Sequence, residues 1–160
     1  MAYLTMDSYN TMVRRFNTVE IVASFAGFGY VYTEQSYKIN ANEWNKHAYI
    51  WYQNGRVYLG HYSAKSIRVP ANTKVSFCFT QEVVDGVYAT TGAYLNGEPT
   101  DSGAWTDYYN SQVTIAIGGS NGSNRAMLGD IYAIRTHSGV LTADEIAANY
   151  AIDKARFGLP

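Results

Sequence analysis

The chain has 160 residues and carries 15 Tyr against 6 Phe and 3 Trp, so most of its aromatic side chains bear a hydroxyl. Such a length suits one domain, spanning residues 1–160, able to bury roughly two-thirds of the surface its unfolded chain exposes without disulfide or metal staples. Twelve Lys and Arg against thirteen Asp and Glu give a formal charge of −1, with neither sign gathered into a run of even four residues; nucleic acid is therefore not an expected partner, because phosphate tracking needs clustered cations.

The first residues, Met1 to Asp7, contain no cationic stretch followed by an apolar core of about 7–15 residues, so no secretory signal is expected there. No apolar run approaches the roughly 20 residues needed to cross a bilayer. Most of the chain reads in period two. Val19, Ile21, Ala23 and Phe25 alternate with Glu20, Val22 and Ser24; Val75, Phe77 and Phe79 with Ser76, Cys78 and Thr80; Val113, Ile115 and Ile117 with Thr114 and Ala116. That alternation predicts half-buried strands. Between them lie turn sequences: Ala26 to Gly29, Asn54-Gly55, Val84-Asp85-Gly86, Asn96-Gly97 and Gly118 to Gly122. The clearest hairpin runs from His47 to Gln53, turns at Asn54-Gly55 and returns from Arg56 to Tyr62. The single Cys78 excludes an intramolecular disulfide, and its place in a strand predicts an inert, half-buried thiol. Short strands at this spacing, three Pro and no helical pattern before residue 140 predict an all-β, two-sheet antiparallel sandwich.

The end differs. Thr142 is a candidate N-cap with Glu145 three residues on, the reciprocal capping-box arrangement, and Asp144 with Glu145 suits the positive end of a helix dipole. A helix is predicted from Ala143 to about Arg156, with Ile146, Tyr150 and Phe157 as its apolar stripe and Gly158 then Pro160 as its stop. Such a helix must cover part of the sandwich.

The stretch Ile115-Ala116-Ile117-Gly118-Gly119, a glycine-rich loop, Leu128-Gly129-Asp130-Ile131-Tyr132-Ala133-Ile134-Arg135, then Leu141 to Ile146 and Asn149 to Gly158, resembles the C-terminal signature of laminin-G-like jelly rolls. These belong to the concanavalin-A-like lectin and glucanase superfamily. Val87-Tyr88 to Leu95-Asn96-Gly97-Glu98 is similar to the same family's strand and turn. Together the motifs cover about a third of the chain. The segment Thr136 to Val140 departs from the aromatic-Asn-basic trio usual before the helix. The resemblance implies a jelly roll and a binding module. Its Asn-Tyr-x-Ile-Asp-Lys-x-Arg-Phe-Gly ending resembles phage and gut-bacterial surface proteins, which implies a virion, extracellular or cell-surface location.

A glucanase of that superfamily would need paired carboxylates on one strand about 5 Å apart. No such pattern occurs: Glu20 is alone in its strand, Glu82 and Asp85 flank a turn, and Asp144 with Glu145 begin the helix. The chain is therefore read as non-enzymatic, with glycoside hydrolase or polysaccharide lyase activity the least supported class. His47 and His61 face each other across the hairpin without a third ligand, and His137 is placed in a loop with no acid linked to it. The resemblance implies Ca²⁺ as the ion to consider, a cation that takes about six to eight oxygens. Its candidates are Asp101, Asp107 and Asp130, with Asn121 and Asn124, although turn-forming Asx residues are the simpler reading.

The aromatic residues point further. Tyr49, Trp51, Tyr52, Tyr58 and Tyr62 crowd one hairpin, on both sides of the alternation, and Trp105, Tyr108 and Tyr109 lie in a polar segment read as a loop. Exposed Tyr and Trp stack on sugar rings and anchor protein interfaces at low entropy cost. Two partners follow: a glycan or surface polysaccharide bound by these residues, or a virion or cell-surface protein, a homo-oligomer included.

Overall fold

The structure, a computed structural model, describes residues 4–7, 17–36, 48–59, 65–84, 87–100, 106–108, 113–119 and 126–160. In chain order the elements are β1 (Leu4–Asp7), β2 (Thr18–Gly27), β3 (Gly29–Ser36), β4 (Ala48–Gln53), β5 (Arg56–Leu59), β6 (Lys65–Arg68), β7 (Val75–Val84), β8 (Val87–Leu95), β9 (Glu98–Pro99), β10 (Thr106–Tyr108), β11 (Val113–Ile117), β12 (Leu128–His137) and α1 (Ala143–Phe157). One sheet has the order β1-β11-β3-β4-β5-β6. The other runs β10-β8-β7-β2-β12, with β9 on β8. Their strand pairings are antiparallel, giving the jelly-roll sandwich expected. Among the described residues no helix is long and apolar enough to cross a membrane.

Alternation explains the core. Val19, Ile21, Ala23 and Phe25 of β2 and Val75, Phe77 and Phe79 of β7 point inward from one sheet; Ile50, Tyr52, Val57, Leu59 and Ile67 point inward from the other. The two layers meet where the Phe25 ring stacks on Tyr52 at 4.4 Å between centroids and 5° between planes, and the Tyr52 hydroxyl donates to the Val69 carbonyl at 3.5 Å. Strict alternation would send Ile131 and Ile134 to opposite faces. A register shift around Tyr132 sets Ile131 against Ala23 and Ile134 against Ile21, and both pack on the core.

The Ala26–Gly29 turn proves to be a crossing between sheets, since β2 lies in one and β3 in the other. The Asn54-Gly55 hairpin forms as expected. Both residues take positive φ, 50° and 74°, the primed turn whose twist matches its strands. Only Ala48–Gln53 and Arg56–Leu59 are its described strand residues. A strand, β10, occupies Thr106–Tyr108, inside the segment expected to be a loop.

The strand β2 departs from the half-buried expectation: Glu20 and Val22, on its outer side, are buried, as is the inward Ile21. The reason is α1. It starts on the predicted capping box, with Thr142 accepting from the Glu145 backbone N–H and Glu145 accepting from that of Thr142. The Thr142 N–H, and then its hydroxyl, donate to the Glu145 carboxylate and hold it below its usual range. The helix ends one residue beyond the expected Arg156, at Phe157, with left-handed Gly158 following. Lys74, from the β6–β7 connection, donates to the Phe157 carbonyl at 2.9 Å and lies 4.3 Å from the Tyr132 ring centre. Ile146 and Leu159 are buried beneath the helix and its tail.

Gly129 opens β12 at φ 144°, where a Cβ would stand 2.0 Å from the Ser24 carbonyl oxygen. Gly118 also has positive φ, 76°, but its added Cβ would meet nothing within 4 Å. Gly118→Ala should therefore cost only the left-handed backbone penalty, about 1 kcal/mol, whereas Gly129→Ala must also displace β2 and should cost about 3 kcal/mol or more. Urea unfolding of the two variants checks this; equal losses would contradict it.

Candidate functional site

Two groups of polar and aromatic side chains stand out, one on the outer side of each sheet. The first lies under α1. Register places Cys78, Glu20 and Arg135 side by side across β7, β2 and β12, and the helix brings Asn149 and Asp153 down on them. Glu20 is 3% exposed and Asp153 1%. Glu20 accepts from Arg135 Nε at 3.3 Å, bonds His137 Nε2 at 2.8 Å, and accepts from Asn149 Nδ2 at 3.1 Å. Arg135 reaches Asp153 with a two-pronged contact, one arm 3.0 Å. The bond to Asp153 and that residue's charge, then the charge of Glu20, hold the Arg135 guanidinium above its ordinary range against the opposing effect of burial. The Thr18 hydroxyl closes the edge of this group, donating to the Gly139 carbonyl and accepting from the Leu141 N–H, each at 2.9 Å.

This arrangement fastens a helix. Both carboxylates are withdrawn from solvent and occupied by donors, so they do not form a substrate-facing acid and nucleophile pair. His137, expected in a loop without an acid, is the last residue of β12 and is bonded to Glu20. Cys78 is buried rather than half-buried. Burial first, then the adjacent Glu20, pushes its thiol far above the usual range, so it stays neutral.

The second group lies on the outer side of the β3–β6 region. Cross-strand register sets Tyr30 beside Trp51, Trp51 beside Tyr58 and Tyr58 beside Ser66, in one row across four strands. The Trp51 and Tyr58 rings stack at 5.0 Å, 11° from parallel. Phe28 meets the Tyr30 ring edge-on at 6.0 Å and is 39% exposed. Tyr30, Trp51 and Tyr58 are half-buried, each keeping part of its surface in solvent. One step toward the turn, a second row holds Gln53, Arg56 and Arg68. Arg56 Nη1 donates to Ser66 Oγ at 2.9 Å, which lays its guanidinium beside the aromatic row. The result is an aromatic ledge edged by hydrogen-bond donors, in which Trp51 and Tyr58 cover one face of each other and leave their remaining surface to a ligand that has both an apolar face and hydroxyls.

The candidate ligand residues thus divide. Trp51 and Tyr58 come together. Tyr52 does not join them: it is a core residue, 4% exposed, because it lies one position from Trp51 in β4 and so faces inward. Tyr49 lies in β4 opposite Thr33. Tyr108 lies in β10 opposite Val87, in the other sheet, so it does not extend the hairpin row. Trp105, Tyr109 and Tyr62 fall outside the described residues, as do Asp101, Asn121, Asn124, His47 and His61. Of the Ca²⁺ candidates, Asp107 pairs with Tyr88 in the strand register, and Asp130 is exposed opposite Ser24. Among the described residues no three His, Cys, Asp or Glu side chains gather as a metal would require. Gln53 and Arg56 were not singled out from the sequence. Counting outward from a two-residue turn pairs 53 with 56 and 51 with 58, which is the signal that would have found them.

No known protein-family model matches the chain, and no curated protein matches it. Solved structures do. A heptameric SAP-like pentraxin from Limulus polyphemus aligns with TM-score 0.54 and 18% identity over 84% of this chain and 69% of that one. The receptor binding domain of botulinum neurotoxin D gives 0.62 and 15% over 96% and 42%. Trypanosoma rangeli sialidase in complex with sialic acid gives 0.58 and 12% over 86% and 23%. The chain therefore spans less than half of the toxin domain and under a quarter of the sialidase. At these identities the likeness establishes a shared fold, the concanavalin-A-like jelly-roll sandwich.

Removing the acid from a buried pair leaves its partner uncompensated, which costs about 3–5 kcal/mol when both are buried. Arg135 is a third exposed, so Asp153→Ala should lose less, about 1–3 kcal/mol, read from urea midpoints. A variant as stable as the parent would show that Asp153 does not fasten α1. Cys78 should stay unreactive toward a chromogenic disulfide reagent in the folded protein and react at the rate of unfolding. Prompt labelling under native conditions would contradict the burial described.

Proposed function

We propose that this chain is a non-catalytic binding module that recognises carbohydrate through the outer face of β3–β6, a laminin-G-like member of the jelly-roll class. The observation that carries this reading is the cross-strand row Tyr30, Trp51 and Tyr58 bordered by Gln53 and Arg56. A pyranose has an apolar face and a hydroxylated rim, and this ledge offers aromatic surface for the first and the donors of Arg56 and Gln53 for the second. The occurrence of the same fold in a receptor binding domain and in a sialidase holding sialic acid is consistent with such a role. The C-terminal ending supports a setting on a virion or a bacterial cell surface. Trp105 and Tyr109, outside the described residues, are kept as proposed contributors to binding.

A second reading uses the same aromatics for protein assembly. It is favoured by Phe28, 39% exposed against Tyr30, and by Leu128, 44% exposed opposite the adjoining Gly27, since contiguous exposed apolar surface marks interfaces. On this reading the module is a structural virion or surface component.

A glycan array probed with the purified protein tests the first reading. Binding should fall roughly tenfold to a hundredfold in Trp51→Ala and in Tyr58→Ala, with far-UV circular dichroism unchanged. An array without a ligand, or binding indifferent to both substitutions, overturns it. Light scattering tests the second: a concentration-dependent oligomer abolished by Phe28→Ser supports assembly, and a strict monomer that recruits no surface protein opposes it.

A further inference from the structure

Arg56 and Arg68 are direct cross-strand partners on β5 and β6. The Val69 N–H donates to the Gly55 carbonyl at 2.9 Å, which makes the adjoining 56/68 position a non-hydrogen-bonded one, where facing side chains approach most closely. Like charges directly opposite destabilise a sheet. Among the described residues no carboxylate offsets the charge, and the only acceptor for either guanidinium is Ser66 Oγ, which takes one Arg56 arm. The sequence sharpens the point. Between Glu43 and Glu82 there is no Asp or Glu at all, while Lys46, Arg56, Lys65, Arg68 and Lys74 fall in that stretch, five of the twelve cations in a chain of net charge −1.

The structure assigns to this pair the anionic group of an acidic saccharide: we infer that the ligand of the aromatic ledge carries a carboxylate or sulfate, held between Arg56 and Arg68 while its ring packs against the stacked Trp51–Tyr58 pair. This rests on the carbohydrate reading above and names its ligand class. The geometry supports it in three ways. The arginine row and the aromatic row are two residues apart along the strands, about 7 Å, within the span of one sugar ring and its exocyclic acid. Guanidinium groups offer paired donors that match carboxylate and sulfate oxygens, with charge-assisted bonds about twice as strong as neutral ones. An anion between two facing cations also removes their repulsion, so a charged ligand gains where a neutral one of equal shape does not.

The test is an array of matched pairs: uronate-containing oligosaccharides beside their carboxyl-reduced forms, and sulfated oligosaccharides beside their desulfated forms, probed with the parent chain, Arg56→Gln, Arg68→Gln and Trp51→Ala. The inference expects the charged member of a pair to bind at least tenfold better, that preference to collapse in either arginine variant, and affinity to fall as salt rises. The uronate and sulfate arms separate the two sources of the anion. Equal binding of charged and neutral members that is lost in Trp51→Ala but kept in Arg68→Gln overturns the inference and leaves the carbohydrate reading standing. An array with no bound saccharide overturns both.

Discussion

The rest of the structure depends on how Glu20 is kept under the helix. A carboxylate in the middle of a sheet is costly to bury unless every oxygen finds a donor. Here Arg135, His137 and Asn149 supply the donors, and Arg135 passes the connection on to Asp153 of α1. The pairing is specific in a way that apolar contact is not. It sets which turn of the helix lies over which strand, and the Thr18 hydroxyl fixes the linker that delivers the helix to that place. Residues 18–23 of β2 and 75–81 of β7 are thereby buried on both sides of their sheet.

That covering makes the two sheets unequal. One outer face is spent on the helix; the other, across β3 to β6, carries its aromatic and cationic residues toward solvent. Tyr52 and Trp51 show the division at the scale of adjacent residues. Tyr52 closes the core on Phe25 with its hydroxyl bonded to Val69, and Trp51 stacks on Tyr58 outside. The tyrosine excess therefore has two causes. Some rings fill core volume and need one internal acceptor, and others form the ledge.

Local chemistry was legible in the sequence and long-range pairing was not. The Asn54-Gly55 turn, the Thr142/Glu145 capping box and the strands β2, β7 and β11 are written within ten residues of chain, and each forms, although β2 and β7 are buried on both sides rather than half-buried. The partnership of Glu20 with His137 spans 117 positions, and no spacing rule anticipates it. Asp153 was hidden for a related reason: a charged residue on a helix reads as solvent-facing until its partner on another element is known. The bulge at Tyr132 defeats period-two counting, and β10 is too short to announce itself against the turn-like residues around it.

The arginine pair shows why charge totals mislead. A chain of net charge −1 with no run of cations appears electrostatically featureless, yet folding places Arg56 against Arg68 because a two-residue turn and the next hairpin dictate register, not charge. Either side chain would be more comfortable opposite a Glu or a Thr, and the pairing costs stability in the free protein. Local preference and final structure disagree at this point and agree at the neighbouring turn, ledge and core. Such a disagreement, beside an aromatic surface that the helix leaves open, is where a foldable sequence carries a requirement other than folding.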